Sequence, residues 1–122
     1  MDKMIIVGLG GALGAMCRYA LSLIPWRGEF PVLTLITNLA GALLIGLVTG
    51  IAQSSGTMRP NLLLFLKTGV CGGFTTFSAF SLETITLIER GNRLYAAAYV
   101  LLSVAGCLCG AWLGRRAGSR MI

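Results

Sequence analysis

The segment Gly72-Gly73-Phe74-Thr75-Thr76-Phe77-Ser78-Ala79-Phe80-Ser81 sets two glycines and four hydroxyls inside an otherwise apolar run. A regular helix is not expected through it. An unwound turn frees backbone carbonyls, and at membrane depth these are tolerated only where protein, water or an ion satisfies them. Two readings stay open. The segment is a kink repaired by the threonine hydroxyls, or it is a site where carbonyls face a hard cation. In the second case a two-fold dimer brings the same carbonyls to its axis from each copy, giving a four-oxygen site.

Phe77 and Phe80 are three residues apart and share a helix face, as do Ser78 and Ser81 on the neighbouring one. Packed rings are the ordinary outcome in lipid. The chemical alternative rests on the positive potential of aromatic ring edges, which can hold a small anion without the grip of a full charge. A channel needs that balance, with binding strong enough to strip water from an ion and weak enough to release it. Donors to complete such a shell are the Asn38 amide and the two serines. Thr34 lies four residues before Asn38 on the same face, and Tyr99 and Ser103, also four apart, extend a line of hydroxyls. Thr34 and Asn38 could equally be interhelical glue.

Arg18 and Glu83 are the charges least easily explained as helix-end anchors. Arg18 could draw anions to a vestibule, or snorkel, or pair with Glu83. Cys17, Cys71, Cys107 and Cys109 lie in apolar stretches, and with no histidine in the chain they read as small apolar side chains, without a metal or redox role.

The elements that must position these groups follow from composition. The chain is 56% hydrophobic and 11% charged, too few charges to coat a water-facing surface. Crossing a hydrocarbon core of roughly 30 Å takes about 20 helical residues. Four stretches qualify, Met4 to Ile24, Val32 to Ile51, Leu62 to Ile88 and Leu94 to Leu113, and they leave no room for a soluble catalytic domain. The fold class is therefore an all-α integral membrane protein, one domain over residues 1–122, with four transmembrane helices of which the third is broken. A secretory leader is disfavoured because Arg18 interrupts the first apolar run and no clear cleavage site follows. The formal charge of +6 is spread along the chain and falls mainly at helix ends, which points to lipid headgroups and not to nucleic acid.

Four crossings put Lys3, Arg59, Lys67, Arg115, Arg116 and Arg120 on one side and Arg18, Arg27, Arg90 and Arg93 on the other. So slight a bias suits a chain that inserts in both orientations and pairs as an inverted dimer. Glycines at four-residue spacing, Gly106/Gly110/Gly114/Gly118, Gly10/Gly14, Gly46/Gly50 and Gly69/Gly73, give each helix a smooth face for close backbone approach.

With these residues assembled, the sequence resembles the small fluoride channels of the Fluc family, also called CrcB. Three segments carry the resemblance: Gly10-Gly11-Ala12-Leu13-Gly14-Ala15 to Arg18-Tyr19, Thr34 to Asn38 and Gly41, and Gly72 to Phe80. The resemblance implies an antiparallel, dual-topology homodimer in a bacterial inner membrane, with two fluoride pores and a structural sodium ion at its centre. It implies Phe77 and Phe80 as the phenylalanine box and Asn38 as the pore amide. Ser78 stands beside the box. Ser81, Tyr99 and Ser103 fall at polar pore positions, Thr34 beside Asn38, and Arg18 at the vestibule. Gly72 and Thr75 are the carbonyl donors to sodium. The chain departs from the family pattern at Ala79, where threonine is frequent, and at Cys107, where serine is. The implied process is passive exit of fluoride from the cytoplasm, without covalent chemistry.

Two rivals differ in what they require. A small multidrug exporter, coupling protons to cationic drugs, needs a buried carboxylate on the first helix, and here Asp2 lies before that helix and Glu83 is on the third. A non-transporting scaffold subunit needs only the glycine faces, not the polar and aromatic cluster.

Overall fold

The computed structural model describes residues 2–121. Its described residues are helical with short connections: α1 (Lys3–Ser22), α2 (Val32–Ser55), α3 (Pro60–Leu64), a π-helical run Phe65–Cys71, α4 (Gly72–Phe74), α5 (Phe77–Glu89) and α6 (Arg93–Ser119). Four spans are long and apolar enough to cross a membrane, Lys3–Ser22, Val32–Ser55, Pro60–Glu89 and Arg93–Ser119. The boundaries shift from those expected. α1 stops at Ser22 instead of Ile24, α2 runs on to Ser55, and α6 continues to Ser119, beyond the expected Leu113. The residues added to α2 and α6 include serines and arginines beyond the apolar stretches, where a helix can continue into the headgroup layer as long as its backbone remains bonded.

Local chemistry sets the ends. The Asp2 carboxylate accepts from the Met4 N–H at 3.0 Å and caps α1. Gly56 ends α2 in the left-handed region at φ 63°, a conformation that costs glycine nothing. Pro60 opens α3 at a position where its missing N–H is no loss.

The glycine faces set the packing. A Cβ on Gly46 or Gly50 would run into the carbonyls of Ala111 and Arg115, and one on Gly114 or Gly118 into those of Leu43 and Leu47. α2 and α6 therefore lie backbone against backbone, the contact that substitutes for a hydrophobic drive in lipid. α1 pairs in the same way with the first half of the third span. A Cβ on Gly14 would strike the Val70 carbonyl, one on Gly73 the Gly11 carbonyl, and one on Gly10 would lie 2.9 Å from the Gly69 Cα. The widened π-helical turns fall where α1 comes closest.

The core is small. Phe80, Leu87, Ala96 and Tyr99 form its buried cluster, with Phe30, Leu35 and Val100 packed against them. Most other large apolar side chains, Leu101, Leu108 and Trp112 among them, are exposed, as lipid permits.

Candidate functional site

Helical geometry persists through Gly72 and Gly73, so the glycines themselves are not where the backbone changes course. Thr75 (φ −83°, ψ 156°) and Thr76 (φ −147°, ψ 113°) are extended, and a new helix begins at Phe77. The helical ladder serves the polar groups of this two-residue interruption only in part, and the rest need other partners. Thr75 takes the Cys71 carbonyl twice, from its N–H at 3.1 Å and its hydroxyl at 3.0 Å. Thr76 is bridged by Asn38, whose Nδ2 donates to the Thr76 carbonyl at 3.1 Å while its Oδ1 accepts from the Thr76 N–H at 2.8 Å. The Thr76 hydroxyl then accepts from the Ala79 N–H at 3.1 Å and lies 3.2 Å from the Ser78 hydroxyl, capping α5.

Arg18 reaches across from α1 and its Nε donates to the Gly73 carbonyl at 3.2 Å. The pairing of Arg18 with Glu83 is therefore not formed, because the guanidinium serves the carbonyl end of α4 while the Glu83 carboxylate takes the Thr34 and Tyr99 hydroxyls. No donor among the described residues reaches the Thr75 carbonyl, and a Cβ on Gly72 would meet nothing within 4 Å.

Asn38, Thr75, Thr76, Phe77, Phe80, Ser103 and Cys107 line one cavity of about 380 Å³. Asn38 is 9% exposed and Ser103 6%. The Ser103 hydroxyl is a buried polar atom without a hydrogen-bond partner among the described residues, and an unpaired buried hydroxyl carries a cost that a ligand or water would remove. The two phenylalanines differ. Their ring centroids are 5.4 Å apart with planes inclined at 45°, yet Phe80 is buried at 8% and Phe77 stands 77% exposed. Sharing a helix face gave them one cavity but not one degree of burial.

Thr34 and Asn38 also part company. Thr34 donates to Glu83 Oε2 at 3.0 Å, and both line a second cavity of about 430 Å³ with Trp26, Glu29, Phe30 and Arg90. Tyr99, fully buried, stands between the two groups. Its ring lies 5.1 Å from that of Phe80 and its hydroxyl donates weakly to Glu83 Oε1 at 3.4 Å. Ser81 turns its hydroxyl back to the Phe77 carbonyl at 2.8 Å, and Ser78 is exposed. Sequence reasoning offered Glu83 as a partner for Arg18 or as the acid of an exporter, not as the partner of Thr34 and Tyr99, and did not single out Phe30. The polar spacing of Thr34 and Tyr99 signals partners but cannot name one on a third helix, and an aromatic in a loop carries no spacing signal at all.

Among the described residues no group of three or more His, Cys, Asp or Glu side chains gathers to hold a metal.

Residues 5–115 match the family described as CrcB-like protein, Camphor Resistance (CrcB). Proteins named fluoride-specific ion channel FluC align over nearly the whole chain. That of Ruminiclostridium cellulolyticum is 43% identical over 118 residues, spanning 94% of this chain and 91% of its own length. That of Methylobacillus flagellatus is 42% identical over 120 residues, with 93% and 92% covered, and that of Anaeromyxobacter sp. (strain K) is 46% identical over 116 residues, with 92% and 91% covered.

Proposed function

Because this chain belongs to the CrcB family, we propose that it is a multi-pass membrane channel selective for fluoride, passing the ion from the cytoplasm down its electrochemical gradient. The observation that carries the reading is the unpartnered Ser103 hydroxyl, buried in one cavity with the Phe77 and Phe80 rings and the Asn38 amide. These groups offer a small anion O–H and N–H donors and ring edges, without a fixed positive charge to trap it. Asn38 has one N–H left after its bond to Thr76, and that hydrogen is available to an ion in the cavity. Beyond the cavity, Tyr99, Glu83 and Thr34 continue the polar line toward the second cavity, while Ser78 and Ser81 lie on the turns of Phe77 and Phe80 outside the lining of the first. Arg18 supplies positive potential on the α1 side.

The working unit in this reading is an antiparallel dimer. Phe77 lines the cavity yet stands 77% exposed on its own chain, and a second copy would cover it, so each pore is completed by two chains. The slight charge bias between the two ends supports insertion in both orientations. At the interruption the Thr76 N–H goes to Asn38 and leaves the Gly72 carbonyl, so that on a dimer axis the Gly72 and Thr75 carbonyls of two copies would supply four oxygens, a donor set suited to a sodium ion. When bound, that ion would neutralise carbonyl dipoles at the dimer axis. Arg18 holds the neighbouring Gly73 carbonyl out of that set.

The test is fluoride efflux from proteoliposomes, followed with a fluoride electrode after a potassium ionophore releases the voltage, alongside chloride-loaded vesicles. Fast fluoride loss without chloride loss is expected. Intact dimers that release neither ion would overturn the reading and favour a scaffold role. Proton-coupled movement of a cationic dye in their place would favour an exporter using Glu83.

A further inference from the structure

The loop joining α1 to α2 lies outside the spans, yet local contacts hold Phe30 in it, and the Phe30 ring packs against the buried centre of the bundle. The Trp26 indole N–H donates to the Phe30 carbonyl at 2.8 Å, and the Val32 N–H donates to the same oxygen at 2.8 Å. The indole lies so close over Gly28 that a Cβ there would come within 2.8 Å of its Cζ2. The loop thereby fixes Phe30, whose ring stands edge-on to two tyrosines of α6, at 5.6 Å and 81° to Tyr95 and at 5.7 Å and 79° to Tyr99. Tyr99 in turn packs on Phe80 at 5.1 Å and directs its hydroxyl to Glu83 at 3.4 Å.

We propose that Phe30, locked by Trp26, is a positioning residue for the Tyr99 hydroxyl, so that this loop sets the polar passage between the two cavities. The inference rests on the channel reading. A tyrosine ring has one stiff axis, and a neighbour edge-on to it decides where the hydroxyl points. At 3.4 Å the Tyr99–Glu83 hydrogen bond is too long to fix that direction alone. Phe30 also lines the second cavity together with Thr34 and Glu83, so any slackening of the loop is felt by the whole Thr34–Glu83–Tyr99 group.

The experiment compares proteoliposome fluoride efflux of the wild-type dimer with Phe30→Leu and Trp26→Phe, each alone and combined with Tyr99→Phe. Phe30→Leu is expected to slow efflux roughly two- to tenfold, the range of one edge-to-face aromatic contact, and Trp26→Phe to act in the same direction less strongly. In the Tyr99→Phe background, where no hydroxyl remains to be positioned, neither substitution should slow efflux further. A merely structural contribution would give the same fold-change in both backgrounds, and that result overturns the proposal, as does unchanged efflux in both variants. A second readout does not depend on flux. With tyrosines labelled at Cζ, the Tyr99 resonance should move in Phe30→Leu and Trp26→Phe while that of Tyr19 stays in place, and an unmoved Tyr99 resonance overturns the proposal even if Tyr99→Phe is silent. A wild-type protein that passes no fluoride fails the channel reading itself, before the variants are compared.

Discussion

The side-chain amide of Asn38 pairs with both main-chain groups of Thr76, giving one hydrogen bond at 3.1 Å and taking one at 2.8 Å. It thereby acts as a one-residue strand partner for backbone that has left the helix. The amide that faces the cavity also keeps the cavity's wall in place.

Asn38→Asp separates these roles. A carboxylate still accepts from the Thr76 N–H but cannot donate to the Thr76 carbonyl, which leaves a buried acceptor unsatisfied at a cost of about 1–3 kcal/mol. It also brings negative charge to an anion path. Fluoride efflux is expected to fall by more than tenfold, with a lower midpoint in thermal unfolding of the detergent-solubilised dimer. Wild-type efflux in this variant would remove Asn38 from the pore.

Phe80→Ile keeps an apolar side chain of similar bulk where Phe80 is 8% exposed, and removes the ring edge. The ring meets two others, Phe77 at 5.4 Å and Tyr99 at 5.1 Å, and losing aromatic contacts of about 1 kcal/mol each corresponds to an efflux slower by several- to about thirtyfold. The elution volume of the dimer should not change, since a size-conserving apolar exchange costs less than about 1.5 kcal/mol.

Gly114 and Gly110 lie on the same helix and predict opposite outcomes. A Cβ on Gly114 would overlap the Leu43 carbonyl, whereas one on Gly110 would sit 3.5 Å from the Leu39 carbonyl, an ordinary contact. Gly114→Ala should therefore destabilise by about 1–3 kcal/mol through overpacking, and Gly110→Ala should leave the unfolding midpoint within error of the wild type. Equal midpoints would refute the backbone-to-backbone packing of α2 on α6.

Gly72 has open space around it within its own chain, so Gly72→Leu should leave the helices folded by circular dichroism. If Gly72 lies at a dimer axis, the same substitution should convert dimer to monomer in chemical cross-linking. Replacing sodium by N-methyl-D-glucamine in the wild type should shift that equilibrium in the same direction. A cross-linked dimer that survives both treatments would refute the axial site.

Four spans, an all-helical fold and the faces that bring helices together were legible in the sequence, because each depends on a quantity carried along one segment. Apolar length sets a span, and glycine at every fourth residue leaves a groove wherever a partner helix happens to lie. The segment Gly72 to Ser81 was legible as unusual for the same reason. Its resolution was not. That Asn38 meets Thr76, that Thr34 leaves Asn38 for Glu83, that Arg18 takes Gly73 and that Phe30 braces Tyr99 are contacts between residues dozens of positions apart, or from a loop to a helix. Hydrogen bonds and ring contacts of this kind are decided by the direction of each side chain once the backbones have closed on one another. Spacing along a single helix places two residues on one face, and only the tertiary structure determines what that face meets.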